Sequence, residues 1–365
     1  MHIGLALEYS LGHVTHAQNL QQQLDGVAAV TPHAIRLAYD DNAQWWQRLP
    51  GIRSNWSLRA SFGARLYLKR QQPHLQGLFF HSQVTSLLSA DLMRMIPSVV
   101  SLDATPMQYD SLGASYSHAT GPAAIETFKK NLNTRAFHAA SRLVTWSEWA
   151  KGSLVNDYGI DANKVSVIPP GIDTDRWNFG TRPLDSHTHL LFVGGDFYRK
   201  GGQTLLDAWR GLSTTTRNRA TLHIVTQTDG IQGDMAGIQL HYGLTPNSDA
   251  LIDLYRIAGA FVFPSNGDCL PLAVLEALAA GLPVLTTNVA ALPEAVRHLE
   301  SGMILPTDDA AAWTAALGDV IADAALRRAW GAAARQHAVD KFDARTNYGR
   351  LVDVITQCAE RKLAA

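Results

Sequence analysis

Two carboxylates, Asp268 and Glu276, stand with seven residues between them where a polar loop runs into a short apolar segment. The loop is Pro264-Ser265-Asn266-Gly267-Asp268-Cys269-Leu270-Pro271, and Leu272-Ala273-Val274-Leu275-Glu276-Ala277-Leu278-Ala279-Ala280 follows with a helical pattern. Pro271 suits the first helical turn and Gly281 the carboxyl-terminal cap. Glu276 lies midway along with apolar neighbours on every side, and a helix apolar all round is a buried one. A buried carboxylate needs donors, because desolvation without them would cost on the order of several kcal/mol or neutralise it. The paired hydroxyls of a ribose would supply them, as would the backbone amides around a core glutamate. Burial alone does not choose between the two.

A second loop, Gly194-Gly195-Asp196-Phe197-Tyr198-Arg199-Lys200-Gly201-Gly202, joins a strand pattern to a helix pattern. Its glycines let backbone amides approach a ligand, while Arg199 and Lys200 offer a forked donor and a point charge to phosphates. It is neither a P-loop nor the GxGxxG of dinucleotide sites, and an ordinary solvated basic turn has the same composition. A third loop, Tyr9-Ser10-Leu11-Gly12-His13-Val14-Thr15-His16, follows the first strand. Gly12 leaves room for a ligand there; His13 and His16 have the spacing of two metal ligands but lack a third nearby, so no metal site is expected. His81 and Asp103 each close a strand pattern, and each reads equally as a packing residue or as part of a site.

These loops are positioned by alternating strands and helices, the signature of βαβ units and parallel sheets. Ile3–Leu7, Leu78–Phe80, Ser98–Leu102, Arg142–Trp146 and Val165–Ile168 read as strands, with helices over His16–Leu24, Leu87–Met95 and Ala150–Tyr158 between them. Pro169-Pro170-Gly171-Ile172-Asp173 then breaks the rhythm, and the polar stretch to His189 reads as a linker. A second series follows, with strands at Leu190–Val193, Thr221–Val225, Gln239–Tyr242, Ala260–Phe263 and Val284–Thr286. Helices are expected over Gly202–Leu212, Ser248–Ile257 and Leu272–Ala280, with helical segments from Ala310 to the end. The chain is therefore expected to be α/β, with two doubly wound parallel-sheet domains at 1–168 and 190–342, a linker at 169–189 and a final helical segment at 343–365. No repeat of 20–50 residues is present.

With 365 residues the chain is long enough for two cores. Its 31 basic and 32 acidic residues leave no electrostatic footprint for nucleic acid. Cys269 and Cys358 are too few for a disulfide framework, which fits a reducing cytoplasm. The first residues reach Glu8 before an apolar run could become a signal peptide, and Asp268, Pro271, Glu276 and Pro283 interrupt the most apolar region, so no membrane span is expected. Between Asn42 and Ala90, Arg48, Arg53, Arg59, Arg65, Lys69 and Arg70 are interleaved with Trp45, Trp46 and Trp56 and with no acid before Ala90. That mixture fits weak peripheral contact with an anionic membrane or a charged glycan, although its basic and apolar residues do not separate onto opposite faces, as in an ordinary half-exposed helix.

Taken together, the chain resembles the retaining glycosyltransferases of family 4, also called glycosyltransferase group 1, which have the two-domain GT-B architecture. The resemblance spans nearly the whole sequence. It rests on Asp268 and Glu276 with Ala277-Leu278-Ala279-Ala280-Gly281-Leu282-Pro283-Val284 after them, and on Trp146-Ser147-Glu148-Trp149-Ala150-Lys151, Val167-Ile168-Pro169-Pro170-Gly171-Ile172-Asp173, Arg199-Lys200-Gly201-Gly202 and Pro264-Ser265. It implies that Glu276 binds the nucleotide ribose and that Arg199 and Lys200 hold the donor diphosphate and stabilise the leaving group. Gly12, Gly195, Leu270, Pro271 and Leu272 line the donor, Asp268 and His81 lie near the reacting sugar, and His13 and Asp103 lie on the acceptor side. It further implies a nucleotide-diphosphate sugar as donor, a glycan, lipid-linked or small-molecule hydroxyl as acceptor, front-face retention, no cofactor or metal, and a last helix that crosses back to the first domain. The sequence departs from the family pattern at Asp268, usually glutamate, and at Cys269-Leu270-Pro271-Leu272, usually Gly-Phe-Gly-Leu. Epimerases and phosphorylases share this architecture, and a sugar-nucleotide or glycan binding protein without turnover is the non-enzymatic reading; fold alone separates none of them.

Overall fold

The computed structural model describes residues 1–10, 12–39, 45–48, 52–53, 55–113, 121–180, 187–231 and 236–360. The chain divides into two compact units, one of residues 1–171 with 344–365 and one of residues 172–343.

In the first unit the elements run β1 (His2–Tyr9), α1 (His13–Asp25), β2 (Thr31–Ala38), α2 (Trp56–Gln71), β3 (Gly77–Phe80), α3 (Gln83–Ser86), α4 (Ala90–Met95) and β4 (Ser98–Leu102). They continue with α5 (Pro106–Ser111), α6 (Ala123–Ala139), β5 (Arg142–Thr145), α7 (Glu148–Asn156) and β6 (Val165–Val167). The six strands are parallel in the order β2-β1-β3-β4-β5-β6. Central strands of such a sheet are covered on both faces and read as unbroken apolar runs. β1 over Ile3–Leu7 and β3 do so, and β4 is buried throughout with Ser98 and Ser101 among its apolar residues. β2 does not, because it is an edge strand carrying Pro32, His33 and Arg36, and no apolar alternation betrays it in the sequence. The helix expected over Leu87–Met95 begins only at Ala90, as α4, and the short α3 before it lies outside the expected range.

The second unit runs β7 (Thr188–Val193), α8 (Gly202–Gly211), α9 (Thr214–Arg217), β8 (Ala220–Thr226), β9 (Ile238–Tyr242), α10 (Asp249–Ile257), β10 (Ala260–Phe263) and α11 (Leu272–Ala279). It ends with β11 (Val284–Thr287), α12 (Leu292–Ala295), β12 (Gly302–Leu305), α13 (Ala310–Ala322) and α14 (Ala324–Phe342). Its parallel order is β12-β11-β10-β7-β8-β9, the doubly wound order in which the winding reverses between β7 and β10. In the first sheet the reversal falls between β1 and β3. In sheets of this kind the crevice for a ligand opens beyond the carboxyl ends of the strands at that reversal.

The stretch expected as a linker is partly built into the second unit. Ile172 donates its N–H to Phe342 O at 2.7 Å and bridges Asp343, and Trp177 is buried with its indole edge-on to Tyr255 at 4.8 Å. Burying an indole outweighs the turn-forming character of the neighbouring prolines and glycine. The remainder of that stretch, 181–186, lies outside the described residues.

The last helix, α15 (Ala344–Glu360), packs on β3, β4 and α1 of the first unit, burying Tyr348, Leu351, Val352, Ile355 and Cys358 beside Leu5, Phe79 and Val99. Ile355 is 1% exposed in that cluster. Ile355→Ala is expected to lower the protection of β1 and β3 amides by about 2–5 kcal/mol in hydrogen exchange, while amides of β7 and β10 keep theirs.

Candidate functional site

The two loops singled out by the sequence in the second half leave β7 and β10, the strands at the reversal of the second sheet. They are locked to each other through Gly201. Its φ of +75° is open to glycine at little cost, and a Cβ there would lie 1.7 Å from Pro264 O. Asn266 N–H donates to Arg199 O at 3.2 Å across the same contact. This juxtaposition delivers the charges. Lys200 Nζ lies 3.0 Å from both Asp268 oxygens, Arg199 Nη1 lies 3.2 Å from Asp268 Oδ1 and donates to Gly267 O at 2.5 Å, and Ser265 Oγ donates to Asp268 Oδ2 at 2.8 Å. Asp268 is buried, and its carboxylate is turned into the basic pair. Arg199 is further steered by Asp196, at 3.4 Å, and Lys200 Nζ sits 5.0 Å from the centre of the Phe263 ring.

Gly195 contributes backbone here. Its carbonyl accepts from Thr226 Oγ1 at 3.1 Å and from Gln227 N–H at 3.1 Å. Leu270 is buried, and Pro271 stands one position earlier than expected, as the residue that precedes α11, with no side chain capping that end. The helix stops as anticipated: Gly281 at φ +69° lets its own N–H reach Leu278 O at 2.9 Å and that of Leu282 reach Ala277 O at 2.9 Å. α11 opens at Leu272, four residues after Asp268, and its first turn, left without a side-chain cap, carries the positive end of the helix dipole.

Glu276 is not fully buried as its apolar neighbours suggested; one edge of α11 is partly open, and the carboxylate is half-buried on it. Its Oε2 accepts from the Tyr255 hydroxyl at 3.2 Å. Burial raises its pKa to about 7, against the opposing pull of the Tyr255 hydrogen bond and the charge of Arg176.

The first unit gathers the other predicted residues at its own reversal. Gly12 precedes α1 with an ordinary φ of −67°, and a Cβ there would meet nothing within 4 Å, so the chain's own packing does not require a glycine. His13 opens α1 and places Nε2 3.8 Å from Asp103 Oδ2 at the end of β4. His81, at the end of β3, is buried with Nε2 2.5 Å from Nδ1 of His16, on which it stacks at 4.6 Å. Burial, reinforced by neighbouring imidazoles, holds His81 well below the usual histidine range and His16 at about 3, so both are neutral and share one hydrogen bond, which requires the same tautomer on both rings. Asp103 is raised, chiefly by burial.

Three members of this cluster carried no reading of their own in the sequence: Glu8, whose buried carboxylate accepts from the Ser10 and Ser82 hydroxyls and from Trp56 Nε1 at 3.2 Å; Trp146, whose indole stacks on His16 at 4.8 Å; and Ser82 itself. His16 was visible only through its spacing from His13. Among the described residues no group of three or more His, Cys, Asp or Glu side chains is arranged to hold a metal ion.

The basic stretch between Asn42 and Ala90 does not form one surface. Arg59 is buried, donating to Tyr39 O and lying against the Tyr39 and Trp56 rings, and Arg65 is ion-paired with Asp91. Arg48, Arg53, Lys69 and Arg70 are exposed, and the side chains of Trp45 and Trp46 lie outside the described residues, as do 40–44. No helix among the described residues is long and apolar enough to cross a membrane.

Comparison with known proteins bears on the family and the fold. Residues 173–337 match the family of glycosyl transferases group 1, and residues 14–176 match Glycosyltransferase Family 4. A D-inositol 3-phosphate glycosyltransferase of Geodermatophilus obscurus is 31% identical over 249 residues, covering 62% of this chain and 54% of that protein. A glycogen synthase of Mycobacterium tuberculosis is 30% identical over 276 residues, covering 70% of this chain and 64% of the relative. The chain thus spans between about half and two thirds of the length of these curated relatives. Among solved structures, sucrose-phosphate synthase from Thermosynechococcus elongatus superposes with a TM-score of 0.74 at 16% identity over 98% of both chains. Anabaena HepE, solved with UDP and glucose, gives 0.70 at 13% identity over 97% of this chain and 99% of its own. The fold is that of the GT-B glycosyltransferases, and the chain belongs to their group 1 family.

Two glycines, one in each unit, make opposite predictions. Gly201→Ala is expected to cost at least about 2 kcal/mol in chemical denaturation, because it forces both positive φ and a clash with Pro264 O. Gly12→Ala should stay within about 0.5 kcal/mol of the wild type.

Proposed function

We propose that this protein moves a hexose from a nucleotide-diphosphate sugar to a hydroxyl of a glycan, lipid-linked or small-molecule acceptor, with retention and without a metal or cofactor. The observation that carries the reading is the clamp at the second sheet's reversal, where Asp268 orients Arg199 and Lys200 beside the uncapped start of α11 and Glu276 stands along the same helix. Cleavage of a sugar from a nucleoside diphosphate builds negative charge on the leaving phosphate. A fixed guanidinium, ammonium and helix amino terminus stabilise that charge with little reorganisation. Lys200 has three N–H donors, two of them directed at Asp268, and so keeps one for a phosphate oxygen. Glu276 Oε1 serves as acceptor for a ribose hydroxyl.

In the first unit Gly12 leaves open space, and His13 with Asp103 forms the carboxylate–imidazole pair on the acceptor side. His81, neutral and hydrogen-bonded to His16, acts near the sugar as a polar neighbour rather than as an acid. The naming of the relatives as glycosyltransferase and glycogen synthase, and the presence of UDP and glucose in HepE, support a nucleotide-sugar donor.

A thermal-shift panel with UDP, GDP, ADP and dTDP on the wild type and Glu276→Ala tests the donor site. One base series should stabilise the wild type by roughly 2.7 kcal/mol at about 100 times its dissociation constant and fail to stabilise the variant. Arg199→Ala and Lys200→Ala should each lower transfer from the matching nucleotide sugar by about 10²–10³-fold. No shift with any nucleotide, or an equal shift in Glu276→Ala, refutes the reading.

A further inference from the structure

The hydroxyl of Tyr255 has two acceptors and one proton. It lies 3.2 Å from Glu276 Oε2 and 3.3 Å from Ala273 O, and a phenol can donate to only one of them fully at a time. The ring cannot drift away from either. Tyr255 is fully buried on α10, stacked on Phe261 with the rings 5.7 Å apart at 12°, and met edge-on by Trp177 at 4.8 Å. The hydroxyl is therefore a fixed donor. Burial, and then the charge of Glu276, pushes its own pKa well above the tyrosine range, so it is protonated through the neutral range in which Glu276 titrates.

What varies is the partner. When Glu276 is ionised, a charge-assisted bond from Tyr255 to Oε2 is the stronger choice. When Glu276 is protonated, its carboxyl can donate to the phenol oxygen while the phenol proton turns to Ala273 O. Among the described residues Oε1 has no hydrogen-bond partner, so in the ionised state one carboxylate oxygen is held and the other is offered outward.

We propose that Tyr255 is the positioning residue for Glu276: by holding Oε2 it presents Oε1 to the ribose hydroxyls of a nucleoside diphosphate, and it favours the ionised form that such hydroxyls need as an acceptor. This rests on the donor-site reading above and adds to it that nucleotide uptake follows the ionisation of a Tyr255–Glu276 pair. The charges surrounding the pair are few. Arg176, whose guanidinium donates to Asn247 O at 3.0 Å, favours the carboxylate. Arg335 of α14 donates to Ala279 O at 2.8 Å on the following turn of α11 and faces Asp175 and Asp343, while Asp253 and Arg256 of α10 pair with each other in solvent.

The sign of the pH effect follows. Glu276 ionises at about 7 in the folded chain against 4.5 ordinarily, so the folded state holds a proton through that window that the unfolded state has released, and stability falls as pH rises through it. Nucleotide binding runs the other way and strengthens as pH rises through about 7.

Carboxyl ¹³C titration of ligand-free protein labelled at glutamate, with the Glu276 resonance assigned by its loss in Glu276→Gln, reads the pair directly. Tyr255→Phe keeps the ring and its stacking and removes only the donor. Its Glu276 midpoint should move up by about 1–2 pH units, the worth of a hydrogen bond to a charged group. The pH profile of binding, measured by calorimetry with UDP, GDP, ADP and dTDP, should move up with it for whichever of them binds. At pH 6–7 that corresponds to about 10-fold weaker affinity or more, with affinity recovering toward the wild-type value at pH 9. An unmoved midpoint in Tyr255→Phe overturns the proposal alone. A moved midpoint with no binding of any of the four nucleotides at any pH overturns it together with the donor-site reading.

Discussion

One carboxylate holds the second unit's crevice together. Asp268 meets Lys200, Arg199 and Ser265 at once, joining the loop after β7 to the loop after β10 beside the Gly201 contact, and it is the carboxylate that both cationic side chains share. Removing one partner from such a cluster typically costs about 3–5 kcal/mol, because the survivors are left desolvated and unpaired. The aspartate in place of the longer glutamate of the family pattern fits this role: a short side chain on a loop pinned by Ser265 and Thr287 reaches the basic pair without bending away from it.

The remaining chemistry is arranged around charges that are either balanced or suppressed. Glu276 is pushed toward neutrality by burial and pulled back by Tyr255 and Arg176. In the first unit the solution is different. His16 and His81 are stripped of charge by burial and hydrogen-bond to each other, while the Glu8 side chain accepts from hydroxyl and indole donors. Both clusters lie where the winding of a parallel sheet reverses, which is where strand ends splay apart and leave polar loops a crevice to line.

The layout of strands and helices was legible because central parallel strands are long apolar runs, and because glycine and proline mark where they stop. Gly281 read correctly as the end of α11, and the Arg199-Lys200 and Asp268 loops read correctly as strand-to-helix turns, since these are facts of local sequence. What stayed hidden depends on distance along the chain. Tyr255 lies 21 residues before Glu276 and in another helix, so nothing local pairs them. The apolar sequence neighbours of Glu276 point to full burial, yet exposure depends on which edge of α11 the sheet leaves uncovered. Likewise nothing local marks Arg59 as bound to Tyr39 or Arg65 as paired with Asp91. β2 leaves no mark in the sequence because an edge strand needs no apolar alternation.

The placement of α15 has a consequence for how the molecule comes into being. The second unit is continuous, residues 172–343, whereas the first is interrupted by it and takes α15 from beyond it. During vectorial synthesis the whole intervening unit is therefore made between residues 1–171 and α15, with the faces of β3 and β4 that α15 covers left bare in the meantime. That interval exposes an apolar sheet face on the ribosome, and it ties the integrity of the first unit to translation running on through α15.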